Sequence, residues 1–300
     1  MRVALIVVLS LAISGCALWR KDQEEPVDNT GPRREKAEPV LKPSEALKPK
    51  SLEIASPITD HFYMNGIYFQ PTADTQLRLN PTVTTAIQGT LLDAEDDLGL
   101  DEQINQARME FDIRMVKNHH MRLDYFKLDR FGQVPLANPI VFGNLIYLAD
   151  TNLRTKIDWR TLTLTYTYSF IHFERVEAGM GLGVHIIEGH VSTEAVGFPA
   201  TLQKIDSVGI FPTIAINGAY RISKRWSVTA RGQQFSASPE DFDGKLADYH
   251  ADVQYRWRKN FAVGLGYTKL VTELEIFSEA TPLLFNLDTS GPELFFRASF

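Results

Sequence analysis

The residues of this sequence that could do chemistry are charged side chains spaced two apart. Over 108–114, 122–124 and 248–252, an Arg, Asp, Glu or His recurs at every second position, between apolar residues, and Gln254 and Arg256 continue the last series. Successive side chains of a strand point to opposite faces, so this spacing directs the charges to one side of a sheet. The set, here named the charge network, comprises Arg108, Glu110, Asp112, Arg114, Arg122, Asp124, Glu177, His185, Arg221, Arg231, Asp248, His250, Asp252, Arg256 and Arg297.

Two chemistries are open to the charge network. Both signs occur in similar numbers on neighbouring stretches, which favours interlocking ion pairs, because a buried charge is costly unless it is paired. The same residues could instead line a water-filled path for small polar solutes. If the strands close into a small barrel, long side chains leave little free bore, so we predict a filled lumen.

One short motif could support hydrolysis by an activated water. Asp248-Tyr249-His250 places an acid and an imidazole on one face of a strand, and such a pair can act in general acid–base catalysis. It resembles half of the catalytic set of the omptins, ten-stranded outer-membrane proteases, which also need an acidic pair across the rim. Asp93, Glu95, Asp96 and Asp97 would have to supply that pair. The favoured interpretation is that Asp248 and His250 belong to the charge network.

A second motif could support a serine nucleophile. His190-Val191-Ser192, with Glu194, resembles the His-x-Ser motif of outer-membrane lipid A deacylases, in which the histidine activates the serine. In that family the motif lies close to the C-terminus, whereas some hundred residues follow it here. We expect these residues to lie at the edge of a polar outer loop. We therefore predict no catalytic residues.

An acidic cluster at Asp93–Asp97 could hold a divalent cation, since clustered carboxylates are suitable hard-oxygen ligands. Solvation of the loop, or pairing with lumen arginines, is the favoured expectation because charges that leave water are usually paired. There is no closely spaced His/Cys cluster of the kind that binds zinc and no nucleotide-binding motif. The sequence thus predicts no metal site and no cofactor.

The elements that position these residues are predicted to be strands. Apolar and polar residues alternate over 107–115, 121–125, 161–170, 176–186, 210–222, 226–231, 247–257, 261–268 and 294–300, whereas 62–69 alternates poorly. So many alternating segments in succession are typical of a transmembrane barrel. We predict an all-β fold, an antiparallel up-and-down barrel over 61–300, with the charge network inside.

The connections predict the number of strands. Short turns near 118, 174, 224 and 259 alternate with longer polar connections at about 73–102, 131–150, 195–206, 239–244 and 278–289. This alternation gives ten strands, with Thr151–Ile171 as one long strand. Its side-chain phase slips near Trp159-Arg160, which suggests a bulge. If that slip and Thr82–Leu92 each hide a turn, the count becomes twelve.

The final strand, 294–300, presents Leu294, Phe296, Ala298 and Phe300 on one face. It resembles the closing strand of bacterial outer-membrane barrels, and the resemblance implies that Phe296 and Phe300 form part of the signal read by the barrel assembly machinery. The segment Gly89–Leu100, with Asp74–Leu79 and His120–Tyr125, resembles uncharacterised proteobacterial outer-membrane barrel proteins. That resemblance implies a fold and a location.

The first sixty residues are predicted to lie outside the barrel. Residues 1–15 have the pattern of a signal peptide, with Arg2 ahead of an apolar run that is too short to span a bilayer. Ile13-Ser14-Gly15-Cys16 resembles a lipobox, which implies acylation of Cys16. Cys16 is the only cysteine, so disulfides are excluded. Residues 16–60 are rich in proline and charge and should form an extended, disordered linker.

Together these features predict a barrel lipoprotein in the outer membrane of a Gram-negative bacterium, with a structural or interaction role. The expected partners are outer-membrane lipid and lipopolysaccharide, the barrel assembly machinery and a periplasmic partner of the linker. The net charge of −6 gives no reason to expect nucleic acid. The alternative is a narrow, porin-like pore for small polar solutes. An outer-membrane enzyme, lipid A deacylase-like or omptin-like, comes third.

Overall fold

A computed structural model of the chain describes residues 3–4, 57–82, 87–240, 242–277 and 282–300. Cys16, the rest of the predicted signal peptide and the predicted linker up to residue 56 lie outside the described residues. Among those described, no helix is long and apolar enough to cross a membrane.

The described chain is built almost wholly from strands, because alternating β-branched and aromatic residues favour a pleated, half-buried surface. The barrel strands are β2 (Phe62–Phe69), β3 (Thr72–Leu79), β5 (Gln106–Val116), β6 (His119–Pro135), β9 (Asn152–His172), β10 (Val176–Ala195), β11 (Gln203–Arg221), β12 (Trp226–Ala237), β13 (Phe242–Arg258), β14 (Phe261–Ile276) and β15 (Leu283–Ser299). The short elements are β1 (Val3–Ala4), β4 (Leu92–Asp93), β7 (Ile140–Phe142), β8 (Leu145–Tyr147) and a 3₁₀ turn (Pro199–Thr201).

The sheet closes on itself. β15 pairs with β14 along one edge and, along the other, with β2 over Glu293–Ser299 and β3 over Leu283–Ser290. β2 and β3 thus act as one barrel strand, and the result is the predicted closed antiparallel barrel of ten strands. The short turns fall where the sequence indicated, after β5, β9, β11 and β13.

The long connections are shorter than predicted. β3 occupies 72–79, β6 runs to Pro135 and β15 begins at Leu283, all inside stretches that the sequence assigned to outer loops. No additional barrel strand lies within the described part of Thr82–Leu92, so the twelve-strand alternative is wrong.

The predicted bulge at Trp159-Arg160 is absent. Ile157, Trp159 and Thr161 are all buried, so the side-chain phase of β9 continues unbroken through this point. The register shift in the β9–β10 pair lies instead beside Ala178 and Gly179. What changes at Trp159 is the chemistry of the inward side chains, from threonine to large apolar residues.

This change divides every long strand into two halves of opposite polarity. Along β6 the inward residues are His120, Arg122 and Asp124, followed by Phe126 and Leu128. The outward residues are Met121, Leu123 and Tyr125, followed by Lys127 and Asp129. We name the part next to the short turns the turn-side half and the part next to the long connections the loop-side half. The first has a polar interior and an apolar exterior, and the second has the reverse.

The loop-side half is cored like a soluble protein. Leu77, Leu128, Leu153, Trp159 and Phe285 meet inside it, and the ring of Trp159 stacks on that of Phe285 at 5.0 Å. The long connections fold inward and add Leu92, Ala94, Leu98, Leu100 and Phe142 to the same cluster. Burial of apolar area stabilises this half by the hydrophobic effect. Its exterior carries cross-strand ion pairs such as Lys245–Glu273 and Lys269–Asp288.

Candidate functional site

The structure places the charge network in the turn-side interior. All of its members except Arg231 are buried, and Arg231 is partly buried, with a side chain that is 8% exposed. The inward positions of β10 between Glu177 and His185 (179, 181 and 183) are glycines, and the side chains of Asn217 and Gln233 occupy the space beside the first and the last of them. The predicted residues therefore share one enclosed volume.

At the upper limit of this volume, next to the apolar core, Arg108 links two strands. Its Nε donates to both carboxylate oxygens of Asp124, at 3.0 and 2.8 Å, and its Nη2 lies 3.6 Å from Asp248. His185 contacts Thr163 and Gln233 in the same layer. Coulomb attraction between paired charges is strong where water is excluded, so this layer is held rigidly.

In the middle layer Glu110 is fully buried and pairs with Arg231 at 2.6 Å. It also accepts a hydrogen bond from the amide of Asn65. His250 contacts Asp252 through Nε2 at 3.0 Å and Glu293 through Nδ1 at 3.2 Å. Asn65 and Glu293 were missed from the sequence. The signal for Glu293 was its even spacing from Arg297, which places both on one face of β15.

At the turn-side end Glu177 is the common acceptor of four side chains. Arg114, His120, Ser169 and His172 all reach its carboxylate, at 2.7–3.3 Å. Below it, Arg256 makes a two-point ion pair with Asp60, with Nη2 2.5 Å and Nη1 3.2 Å from the two oxygens. Asp60 directly precedes the barrel, so this pair fixes where the N-terminal chain enters.

The omptin-like arrangement is not assembled. Asp248 and His250 are 7% and 4% exposed, and both nitrogens of His250 are engaged by network partners. The acidic loop that would complete such a site contacts other groups: Glu95 pairs with Arg130 at 2.5 Å and accepts from the Thr75 amide. A protease of this kind needs its catalytic water at an open rim, and these residues lie below the apolar core.

His190 and Ser192 lie within β10 and not at a loop edge as the sequence suggested. Both belong to the outward face of the loop-side half, where His190 Nδ1 lies 2.7 Å from Asp206 Oδ1. This hydrogen bond holds the pKa of Asp206 below its usual value. His190 is therefore part of a cross-strand pair, and no contact with Ser192 is recorded.

The carboxylates of Asp74, Asp93 and Glu95 lie close together and could in principle hold a cation. Each nevertheless has a structural setting of its own. Glu95 is paired with Arg130, and Asp93 Oδ1 accepts the backbone N–H groups of Glu95 and Asp96. Within the described residues, only Glu95 of the acidic cluster pairs with an arginine, and the side chains of Asp93 and Asp97 accept backbone N–H groups.

A cleft lies in the wall of the loop-side half. β11 pairs with β12 only from Ile214 to Arg221, so its outer part, 203–213, extends beyond β12; on that side β1 pairs with Ser207 and Val208. The space behind this edge has a volume of about 60 Å³ and is lined mainly by apolar side chains, among them Phe211, Phe242 and Ile276. It is separate from the charge network.

Comparisons with known proteins concern the barrel architecture. No family model matches the sequence, and no curated protein matches it. Similar solved structures include the outer membrane protease OmpT of Escherichia coli (11% identity, TM-score 0.48, 81% of this chain and 98% of that chain). Others are the outer membrane protein OprG of Pseudomonas aeruginosa (12%, 0.33, 80% and 96%) and the attachment invasion locus protein Ail of Yersinia pestis (9%, 0.30, 79% and 99%).

Proposed function

We propose that the chain is an integral outer-membrane barrel with a structural or interaction role and a sealed lumen. The turn-side half would span the bilayer, and the loop-side half would rise above it into the external medium. The proposal includes acylation at Cys16 and a periplasmic linker that binds a partner. It also includes contacts with outer-membrane lipid and lipopolysaccharide, and assembly by the barrel machinery, which would recognise Phe296 and Phe300.

The proposal of a sealed lumen is supported by the two sets of side chains that fill the interior, one polar and one apolar. Ion pairs such as Arg108–Asp124 and Arg231–Glu110 occupy the turn-side half, and a contiguous apolar cluster occupies the loop-side half. A solute path would need a continuous polar bore, which the apolar cluster interrupts. This favours a structural or interaction role over the narrow pore, and also over an enzyme fed from outside.

The exterior of the turn-side half supports the membrane location. Large apolar side chains that would be costly in water are exposed around it, including Leu164, Leu182, Ile216 and Leu265. Aromatic residues flank this band near the turns: Phe170, Tyr220, Trp226, Trp257 and Phe300 are all exposed. Such rings are enriched where lipid headgroups meet the hydrocarbon. Above the band the exterior becomes charged, for example on β6, β10 and β14.

Single-channel recording of the refolded, acyl-free chain in a planar bilayer tests the sealed lumen. We expect no reproducible open steps from protein shown to be folded by its heat-dependent gel mobility. The variant Leu128→Ser, in the apolar cluster, and Arg108→Ala, in the charge network, probe the two fillings separately. Steady steps in the unaltered chain that change with Arg108→Ala would show a solute path and overturn the proposal.

A further inference from the structure

Within the turn-side interior two arginines have no ion-pair partner within 4.0 Å among the described residues. Arg122 is 8% exposed, its Nε has no hydrogen-bond partner, and no carboxylate oxygen of the described residues lies within 4.0 Å of its guanidinium. Arg297 is 1% exposed and likewise has no such carboxylate. Its Nε donates to Asn65, its Nη1 is unpartnered, and its guanidinium lies 4.1 Å above the ring of Tyr63.

Both arginines line one cavity. Its volume is about 60 Å³, and Arg231, His120 and Asn217 also line it, together with Asp112 and Glu177. The Oδ1 atom of Asn217 is buried without a partner. A guanidinium that is withdrawn from water is unfavourable unless it is paired, so two arginines that face one space without an ion-pair partner favour a negative group inside it.

The carboxylates that line this cavity are directed elsewhere. Glu177 is the acceptor of Arg114, His120, Ser169 and His172, and Asp112 Oδ1 lies 3.3 Å from His120 Nδ1. Arg231 is paired with Glu110 through Nη2, which leaves the rest of its fork for a second group. Arg122 and Arg297 are therefore the two arginines of this lining that no carboxylate of the described residues contacts.

We infer that this cavity binds a small tetrahedral oxyanion of the size and charge of inorganic phosphate or sulfate. The planar guanidinium fork matches the oxygens of such an anion two at a time and is more weakly hydrated than an ammonium group, so arginine suits an enclosed site. The amide nitrogen of Asn217, which also lines the cavity, can donate a further hydrogen bond.

Entry is from the turn-side end. The apolar cluster closes the interior above the charge network, whereas Pro57, in the segment that leads into the barrel, lines the cavity below. That this end faces the periplasm rests on the proposed membrane location. The binding site itself does not, so the two proposals fail separately. Conduction would overturn the sealed lumen, and absence of anion binding would overturn only this inference.

The site can be tested by titrating inorganic phosphate into the full-length chain, which is folded in detergent in a buffer free of oxyanions. We expect saturable heat on calorimetry and a thermal midpoint that rises with phosphate concentration, since a ligand that binds only the folded state stabilises it. Sulfate should compete, and chloride at equal ionic strength should not. Arg122→Gln and Arg297→Gln should each weaken binding by about tenfold or more, as expected for loss of a charged hydrogen-bond donor.

Arg221→Gln is the matched control, because Arg221 pairs with the exposed Glu174 and does not line the cavity. It should bind phosphate like the unaltered chain. Absence of saturable binding up to about 10 mM phosphate, equal binding by the glutamine variants, or an equal effect of chloride would overturn the inference. If the glutamine variants fail to fold, Arg122→Lys keeps the charge but loses the fork, and unchanged affinity in that variant would overturn it.

Discussion

The ring of Trp159 stacks on that of Phe285 at 5.0 Å and 13°, while its Nε1 donates to Thr161 Oγ1 at 3.0 Å. Trp159 thus belongs to the apolar cluster by its ring and to the polar interior by its nitrogen. It marks the level at which the two fillings of the barrel meet. Phe285 is on the closing strand β15, so the stack also joins opposite parts of the wall.

Replacement of this ring should destabilise the barrel strongly. Trp159→Ala removes a 4%-exposed side chain from a packed cluster, which typically costs 3–5 kcal/mol, roughly, of unfolding free energy. Urea unfolding in detergent or lipid, followed by gel mobility, measures the change. Phe173→Ala, at an exposed turn, is the control and should lie within about 0.5 kcal/mol of the unaltered chain. A similar loss in both variants would mean that the cluster contributes little.

The Glu110–Arg231 pair should behave as a buried pair and not as a surface one. Arg231→Met leaves the fully buried carboxylate of Glu110 without its charged partner, and we expect a loss of about 3–5 kcal/mol. Adding Glu110→Gln removes the uncompensated charge and should recover much of that loss. Unfolding midpoints of the two single variants and the double variant complete the cycle. A double variant no better than Arg231→Met would contradict the assigned pairing.

The two glutamates beside the β9–β10 turn should differ sharply. Glu177→Gln replaces the acceptor of four side chains in the turn-side interior, so we expect a loss of roughly 3 kcal/mol or more in unfolding free energy. Glu174 is exposed and pairs with Arg221 at the surface, and Glu174→Gln should change stability by less than about 1 kcal/mol. Both variants carry the same chemical change, so a difference between their unfolding free energies reflects the different surroundings of the two side chains. Equal effects would argue against Glu177 as a hub.

Tryptophan fluorescence tests which part of the barrel meets lipid. The chain has four tryptophans, and variants that keep only Trp226, only Trp257 or only Trp159 can be reconstituted with lipids brominated close to the headgroups. Trp226 and Trp257 are exposed at strand ends, and we expect strong quenching of both. Trp159 points inward and should be quenched weakly. Strong quenching of Trp159 alone would contradict the proposal that the turn-side half is the part that meets lipid.

Alternation was readable from the sequence because strand geometry fixes it. It gave the ten strands, the short turns and the residues that share a face with Arg108 or Asp252. The error at Trp159-Arg160 arose because the apolar face was assumed to point outward everywhere. In β9 the apolar residues move from the outer to the inner face while the pleat continues, and this looks like a slip of phase.

The partners within the charge network could not be read from the sequence. Arg297 meets Asn65 because β15 closes the barrel against β2, and Arg256 meets Asp60 across most of the chain. Such contacts depend on the register of closure, which no local pattern records. The sequence also could not show that no carboxylate oxygen of the described residues lies within 4.0 Å of the Arg122 guanidinium. Pairing of the acidic loop with an arginine was anticipated, but its partner, Arg130, lies in a stretch that was taken for a strand end.

The reversal of polarity along each long strand specifies the register of that strand in the sheet. A slip of one residue in β6 would turn Arg122 and Asp124 toward lipid and, in the same movement, Phe126 and Leu128 toward water. In a strand whose apolar residues all face outward, such a slip costs free energy only in the part that contacts lipid. Here the same slip also costs free energy in the part that contacts water, so a misaligned strand is disfavoured by two different solvents and neither half can compensate for the other.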